Sequence, residues 1–369
     1  MARYAKDGVC LATLVQMAIP VCQQAEREHP RTGRGRRPEI PDWVMAVLIM
    51  VSVLKKRKSK RAQYRFLEQH KSDLLKWMGT DRFPARSTYC DRYRRAHELF
   101  RHVILLQAEK EVQQGRIDAA TVAIDKSAVS SRGPRWGRHH QDEGHLPHGA
   151  DPEATWTYSR HHGWIQGYAY EVVVTAGKTG PLWPISASVE PASSQASGPS
   201  LEKLSRLPVA TRYALADSGY DRDVLGEAVE WDSRGHRTGK RFLCPEINRR
   251  GDRKAAVARR NSRRRSWHQA RRRQRREFYE SPRGRQLFAR RGCTIEPFNE
   301  WFKSLFDLHE CAWHRHLDNN RTQLLAALFA YQILLRYNRR VGRHNGQVQW
   351  ILESVVSKLK CNEVENCYR

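Results

Sequence analysis

Two patterns of apolar and polar positions divide the chain. Before residue 118, apolar residues recur at helical spacing, and they predict helices over 10–27, 42–54, 62–70, 72–78 and 87–113. From Thr121 onward, short apolar runs rich in β-branched and aromatic residues predict strands over 121–124, 168–176, 182–189, 213–216 and 241–244. Two further segments between these strands, 200–207 and 222–230, have helical periodicity.

This order of elements predicts an α/β fold with a mixed sheet flanked by helices, preceded by an all-α domain. We expect a helical domain over 1–118, an α/β domain over 119–340 and a C-terminal tail over 341–369. The short helices of the first domain end in a stretch rich in Arg and Tyr that includes Arg94 and Arg95. Such a series is typical of a helix-turn-helix domain, and the alternative is a bundle whose basic faces are only solvated.

The charge favours a polyanionic partner. The 369 residues carry 66 Lys and Arg against 39 Asp and Glu, a formal net charge of +27. Nucleic acid is the first expectation for such a chain. The longest apolar stretch, 43–54, is too short to span a bilayer, which takes ~20 residues. Without a secretory pattern at the N-terminus, and with eight scattered cysteines that suit reduced thiols, we expect a cytoplasmic protein.

An arginine-rich insertion at about 246–291 interrupts the α/β pattern. Runs of like charge usually form a solvated or disordered segment, but in a chain this basic we expect a DNA-contacting arm. Its candidate contacts are Arg271, Arg272, Arg273, Arg275, Arg276 and the base-stacking side chain of Trp267.

Three acids are the candidates for chemistry. Asp125 and Asp217 each follow a predicted strand, at the edge where open α/β sheets bind their ligands. Glu296 lies in the first turn of a predicted helix, with Lys303 seven residues further on. Each acid has an alternative: Asp125 as a turn residue, Asp217 as an Asx turn, and Glu300 in place of Glu296.

Three carboxylates suit phosphodiester chemistry. Two Mg²⁺ ions about 3.5–4 Å apart activate water and neutralise charge on the attacking and leaving oxygens. Mg²⁺ prefers oxygen ligands and keeps several waters, so two or three carboxylates and a phosphate suffice. We therefore expect Asp125, Asp217 and Glu296 to meet through the fold and to hold two Mg²⁺ ions, for which Mn²⁺ can substitute.

These residues resemble those of DDE-type insertion-sequence transposases, whose catalytic core is RNase H-like. The resemblance rests on AIDKSAV around Asp125, LADSGYD around Asp217 and IEPFNEWFK from 295 to 303, and on GRRPEIPDWVMAVLIM, RAQYRFLEQH and FPARSTYCDRYRRA near the N-terminus. It implies that the three acids bind the metal ions and that Lys303 contacts a terminal DNA phosphate.

The resemblance also implies the reaction and the partners. The expected reaction is cleavage and strand transfer at transposon ends, on double-stranded DNA of the terminal inverted repeats and the target, by a homodimer associated with a prokaryotic nucleoid. Many such transposases place an arginine four positions before the glutamate and a tyrosine three before that. Here Gly292 and Ala289 occupy those positions, so Arg291 and Tyr279 are the candidate substitutes, and we expect Arg291 to contact DNA.

Two other hypotheses remain open. The chain could be a domesticated transposase that binds DNA as a repressor without catalysis. Alternatively, His314-Arg315-His316 has the spacing of a His-x-His metal pair in a nuclease with a nucleophilic tyrosine. A polar segment over 131–167 also holds six histidines, His139, His140, His145, His148, His161 and His162, and is expected to be a solvated or phosphate-facing loop.

Overall fold

The computed structural model describes residues 9–30, 38–137, 145–159, 162–177, 180–194, 198–246, 263–344 and 346–357, with only the backbone described for 263–268. The N-terminal region is helical, as the sequence predicts. Its helices are α1 (Leu11–Glu28), α2 (Asp42–Leu54), α3 (Lys60–Gln69), α4 (Lys71–Met78), α5 (Arg86–Tyr93) and α6 (Ala96–Gln113).

Helix α2 is the centre of this region. All of its residues from Val44 to Leu54 are buried, because α1 packs on one side of it and α6 on another. A helix that is apolar on every side is typical of the interior of a protein. In the part of the chain that the structure describes, no helix is both long and apolar enough to span a membrane.

The sheet of the second region is mixed. Its strands are β1 (Thr121–Ser130), β2 (Thr155–Ser159), β3 (Gly163–Thr175), β4 (Pro184–Pro191), β5 (Tyr213–Leu215) and β6 (Arg241–Leu243). Strand β3 is antiparallel to β1, β2 and β4, whereas β1, β5 and β6 run parallel to one another. Strands β2 and β4 both pair with the same edge of β3. The order of strands through β2 is β2-β3-β1-β5-β6. This mixed sheet confirms the predicted fold class.

Helices cover the sheet and continue the chain. They are α7 (Gly198–Ser205), α8 (Asp223–Glu230), α9 (Arg263–Glu280), α10 (Pro282–Ala289), α11 (Ile295–Leu305), α12 (Leu317–Arg340) and α13 (Gln349–Ser357). Helix α12 joins the two regions: the rings of Phe329 in α12 and Phe100 in α6 are 6.1 Å apart. Gln332 donates hydrogen bonds to the carbonyl oxygens of Ile104 in α6 and Pro184 in β4, at 3.0 and 2.8 Å.

Three predicted elements were wrong in extent. The single helix predicted over 87–113 is two helices, α5 and α6, separated at residues 94–95. Strand β1 does not end at Ile124 but continues to Ser130, because β3 pairs with it along that length. The segment 131–167 is not only a loop, since β2 and the start of β3 form an antiparallel pair within it. These residues are half exposed and hold few aliphatic side chains, so they gave no strand pattern.

Candidate active site

Asp125 and Asp217 lie side by side because β1 and β5 are parallel. Ala123 pairs with Leu215, and each aspartate follows its paired residue by two positions. Asp217 is therefore just beyond the end of β5, whereas Asp125 lies within β1 and not at its end. The Oδ1 atom of Asp217 accepts a hydrogen bond from the backbone N–H of Gly219 at 2.9 Å, so the expected Asx turn exists and leaves Oδ2 for other contacts.

Helix α11 brings the third acid to the same place. The Thr294 hydroxyl donates to the carbonyl oxygens of Arg290 and Arg291, which fixes the turn before the helix. Phe302 packs against Tyr170 of β3 at 5.3 Å, which holds the apolar face of α11 against the sheet. Glu296 lies in the first turn, and its side chain is 65% exposed.

Arg291 contacts all three acids. Its Nη2 atom is 3.1 Å from Oδ1 of Asp125 and 3.9 Å from Oδ2 of Asp217, and its Nη1 atom is 3.3 Å from Oε1 of Glu296. The guanidinium is 12% exposed. The three predicted acids thus converge around one cationic group, although they are 92 and 79 residues apart in sequence (217 − 125 and 296 − 217).

The donor set fits divalent cations in type and charge. Within the described residues, no three Asp, Glu, His or Cys side chains are close enough together to hold a metal ion. The guanidinium of Arg291 lies among the three carboxylates and accounts for the distance between them. Carboxylate oxygens are the ligands that Mg²⁺ prefers. Asp125, Asp217 and Glu296 could therefore hold such ions once Arg291 moves away.

The buried acid is electrostatically unusual. Burial raises the pKa of the Asp125 carboxyl to about 6, Arg291 counteracts this rise, and Asp217 adds to it. Lys303 lies in the same cleft, where burial lowers the pKa of its ammonium group. Perturbed groups that meet in a cleft are typical of functional sites.

The sequence did not indicate the contact that Asn299 makes with Asp125. Asn299 lies one turn after Glu296 in α11, and its Nδ2 atom donates to Oδ2 of Asp125 at 3.1 Å. Only its position three residues after Glu296 could have drawn attention to it, because residues at that spacing share a helix face.

A cleft of about 380 Å³ contains the site, including Tyr158, Asp125, Asp217, Glu296 and Lys303. Glu300 also lines this cleft, but it contacts His309 at 3.4 Å, whereas Glu296 contacts Arg291. This arrangement favours Glu296 as the acid that completes the set.

The five candidate arginines of α9 fall into two groups. Arg271 is buried and lies over the ring of Trp231 at 3.4 Å. Arg272 contacts Asp221 at 2.8 Å, and Arg275 contacts Asp223 at 2.6 Å. These three side chains attach α9 to the α/β domain.

The other two candidate arginines of α9 face outward. Arg273 is 81% exposed and Arg276 is 57% exposed, each paired with a glutamate one turn on. Arg276 also lies 3.6 Å from Glu246, an exposed contact beyond the helix. The N-terminal candidates Arg94 and Arg95 are also exposed. The side chain of Trp267 lies outside the described residues.

Of the remaining candidates, His314 and Tyr279 are not among the residues that line the cleft. The buried ring of His314 is hydrogen-bonded to the hydroxyl of Tyr93 at 3.0 Å, and burial lowers its pKa to about 3. Tyr279 packs on Phe288. Of the six histidines, His139, His140 and His161 lie outside the described residues, and His162 borders the cleft.

A mixed sheet flanked by helices, with one acid on β1, one just after β5 and one on a later helix, is the arrangement expected of an RNase H-like core. Residues 117–333 match the family model described as Transposase DDE domain. Because this match covers more than half of the chain, the protein belongs to that family, and the resemblance seen in the sequence is confirmed. No curated protein and no solved structure matches the chain.

Proposed function

We propose that the protein is a DNA transposase that binds transposon ends and catalyses metal-dependent strand cleavage and strand transfer. The observation that carries the proposal is the convergence of Asp125, Asp217 and Glu296 on one guanidinium, in a chain that belongs to the Transposase DDE domain family. The family supports a transposase, and the geometry supports these three acids as its catalytic residues.

Asp125, Asp217 and Glu296 would hold two Mg²⁺ ions. When bound, these ions would activate the attacking water or hydroxyl and neutralise charge on the reacting phosphate. Because Asp125 is the most buried of the three, it would fix the position of the site, while the more exposed Asp217 and Glu296 face the incoming DNA.

Two cationic side chains would bind the DNA backbone at the site. Lys303 lines the cleft that holds the acids, so its ammonium group is placed to contact a terminal phosphate. Arg291 could bind a phosphate through two parallel N–H donors once it leaves the carboxylates.

Double-stranded DNA of the transposon ends and of the target is the proposed partner. The net charge of +27 and the exposed side chains of Arg94, Arg95, Arg273 and Arg276 support this partner. A homodimer would hold two ends, and such a protein would act in the cytoplasm at the nucleoid. Arg271, Arg272, Arg275 and Trp267 remain proposed contributors to the DNA-binding arm.

Cleavage of a supercoiled plasmid that carries the flanking ends tests the proposal. We expect nicking at the ends with Mg²⁺ or Mn²⁺, and its loss in Asp125→Asn, Asp217→Asn and Glu296→Gln. Glu300→Gln is the matched control, since Glu300 lines the same cleft on the same helix but lacks the contact with Arg291. Loss in Glu300→Gln and not in Glu296→Gln would reassign the helix acid.

A DNA-binding protein without catalysis is the second candidate. The observation that favours it is that Arg291, and not a cluster close enough for a metal ion, fills the centre of the acids in the described structure. In that case, wild type and all three variants would bind end DNA with equal affinity, and none would cut it.

A further inference from the structure

The two oxygens of the Asp125 carboxylate have different partners. Oδ1 contacts the guanidinium of Arg291 at 3.1 Å, and Oδ2 accepts a hydrogen bond from the side-chain amide of Asn299, also at 3.1 Å. Arg291 is a cation, so it and a metal ion compete for the same oxygen. The amide is neutral and donates without adding charge, so it does not compete with a cation.

The side chain of Asn299 is costly to bury. Asn299 is 8% exposed, and among the buried side-chain atoms of the described residues its Oδ1 atom has no hydrogen-bond partner. A buried acceptor without a partner lowers the stability of a protein, whereas an apolar side chain of similar shape avoids that cost. The hydrogen bond from Nδ2 to Asp125 offsets part of this cost, but in the described structure Oδ1 has no partner of its own.

The backbone at Asn299 is held firmly. Its carbonyl oxygen accepts a hydrogen bond from the hydroxyl of Tyr170 at 3.4 Å, which ties this turn of α11 to β3. Because β3 also pairs with β1 directly opposite Asp125, the amide and the carboxylate are anchored to the same part of the sheet.

We propose that Asn299 is a positioning residue for the carboxylate of Asp125. It holds Oδ2 in place so that Oδ1 faces the cation position now taken by Arg291, and its own Oδ1 accepts a hydrogen bond from water at that position. The inference rests on the proposed function, because it assumes that Asp125 binds a divalent cation. Partners that orient metal ligands in this way typically contribute about 10–100-fold to metal affinity or activity.

Mn²⁺ binding in the absence of DNA, measured by electron paramagnetic resonance, tests this role. In Asn299→Leu we expect Mn²⁺ affinity to fall about tenfold or more. The metal-free thermal midpoint should also fall, because Oδ2 of the buried Asp125 carboxylate loses its hydrogen-bond donor. DNA affinity in EDTA should be unchanged. Glu300→Gln, one residue further along the same helix, should retain wild-type Mn²⁺ affinity.

The outcomes separate this inference from the proposed function. If Asp125→Asn weakens Mn²⁺ binding and folded Asn299→Leu does not, Asn299 has no positioning role. If neither Asp125→Asn nor Asn299→Leu weakens it, the metal site itself is wrong. Should Asn299→Leu fail to fold, Asn299→Ala takes its place, and retained Mn²⁺ affinity in that variant overturns the inference.

Discussion

At the scale of single residues, burial of the Asp125 carboxyl lowers folding stability near neutral pH. Its pKa is about 6 in the folded protein against an ordinary value of 3.8, so the folded state holds the proton more tightly than the unfolded state. Folding stability therefore falls as pH rises from about 4 to about 6, and the loss persists at higher pH. Each pKa unit corresponds to about 1.4 kcal/mol.

We accordingly predict that Asp125→Asn stabilises the metal-free protein at pH 8, by about 2–3 kcal/mol at most. Asparagine has the same shape and carries no charge to bury. Thermal unfolding in EDTA at pH 8 and pH 4.5 measures the effect, which should shrink at the lower pH because wild-type Asp125 is then protonated. A variant less stable than wild type at pH 8 would show that the contact with Arg291 outweighs burial.

Arg291 gives a second prediction at this scale. Its guanidinium lies among the three acids, where it competes electrostatically with any divalent cation. Arg291→Gln should therefore raise Mn²⁺ affinity in the absence of DNA, and Arg291→Lys, which keeps the charge, should remain nearer wild type. Titration of Mn²⁺ by electron paramagnetic resonance makes the comparison. Equal affinity in wild type and Arg291→Gln would mean that the guanidinium lies clear of the cations.

The sequence indicated the acids of the site but not what lies around them. Asp125, Asp217 and Glu296 could be proposed because each stands next to a recognisable strand or helix start. Arg291 was expected to bind DNA, and its position among the acids depends on the turn that Thr294 fixes. Asn299 depends on how α11 is rotated against the sheet. Such contacts are tertiary, so no local pattern reports them.

At the scale of elements, the arginines of α9 should separate stability from DNA binding. Arg272 and Arg275 contact acids of the α/β domain, whereas Arg273 and Arg276 are exposed. We predict that Arg272→Gln with Arg275→Gln lowers the thermal midpoint. The matched double change at 273 and 276 should leave the midpoint unchanged, since exposed ion pairs contribute little.

The double variant at 273 and 276 is also expected to change DNA binding. Substitution at 273 and 276 should weaken binding across all sequences and reduce the salt dependence of log K by ~0.9 for each lost phosphate contact. Fluorescence anisotropy at several salt concentrations measures this slope. An unchanged slope would mean that the outer face of α9 does not contact the DNA backbone.

Elements were predicted best where burial is complete. Strand β3 over 168–175 and most of helix α2 are mostly apolar and buried, and both were found. Strand β2 was missed because pairing with β3, and not an apolar pattern of its own, makes it a strand. The helix predicted over 222–230 was found as α8, which begins at Asp223.

At the scale of the whole molecule, the helical region and the α/β region share one interior. Residues of α1, α2 and α6 belong to the same buried cluster as those of the sheet and α12. Tyr93 of α5 reaches His314, and its carbonyl oxygen accepts a hydrogen bond from the hydroxyl of Thr322 at 2.6 Å. The division near residue 118, which follows the change of sequence pattern, is therefore not matched by a gap in the packing.

We predict from this packing that the two regions unfold together. Far-ultraviolet circular dichroism and tryptophan fluorescence should report one thermal transition at the same temperature, as expected of a cooperative unit. Phe329→Ala removes the ring that contacts Phe100 across the two regions and should destabilise the protein by about 3–5 kcal/mol. It should lower the single transition without dividing it, because each region completes the core of the other. Two transitions in wild type would instead make residue 118 a true domain boundary, and the helical region could then move as a separate body when DNA binds.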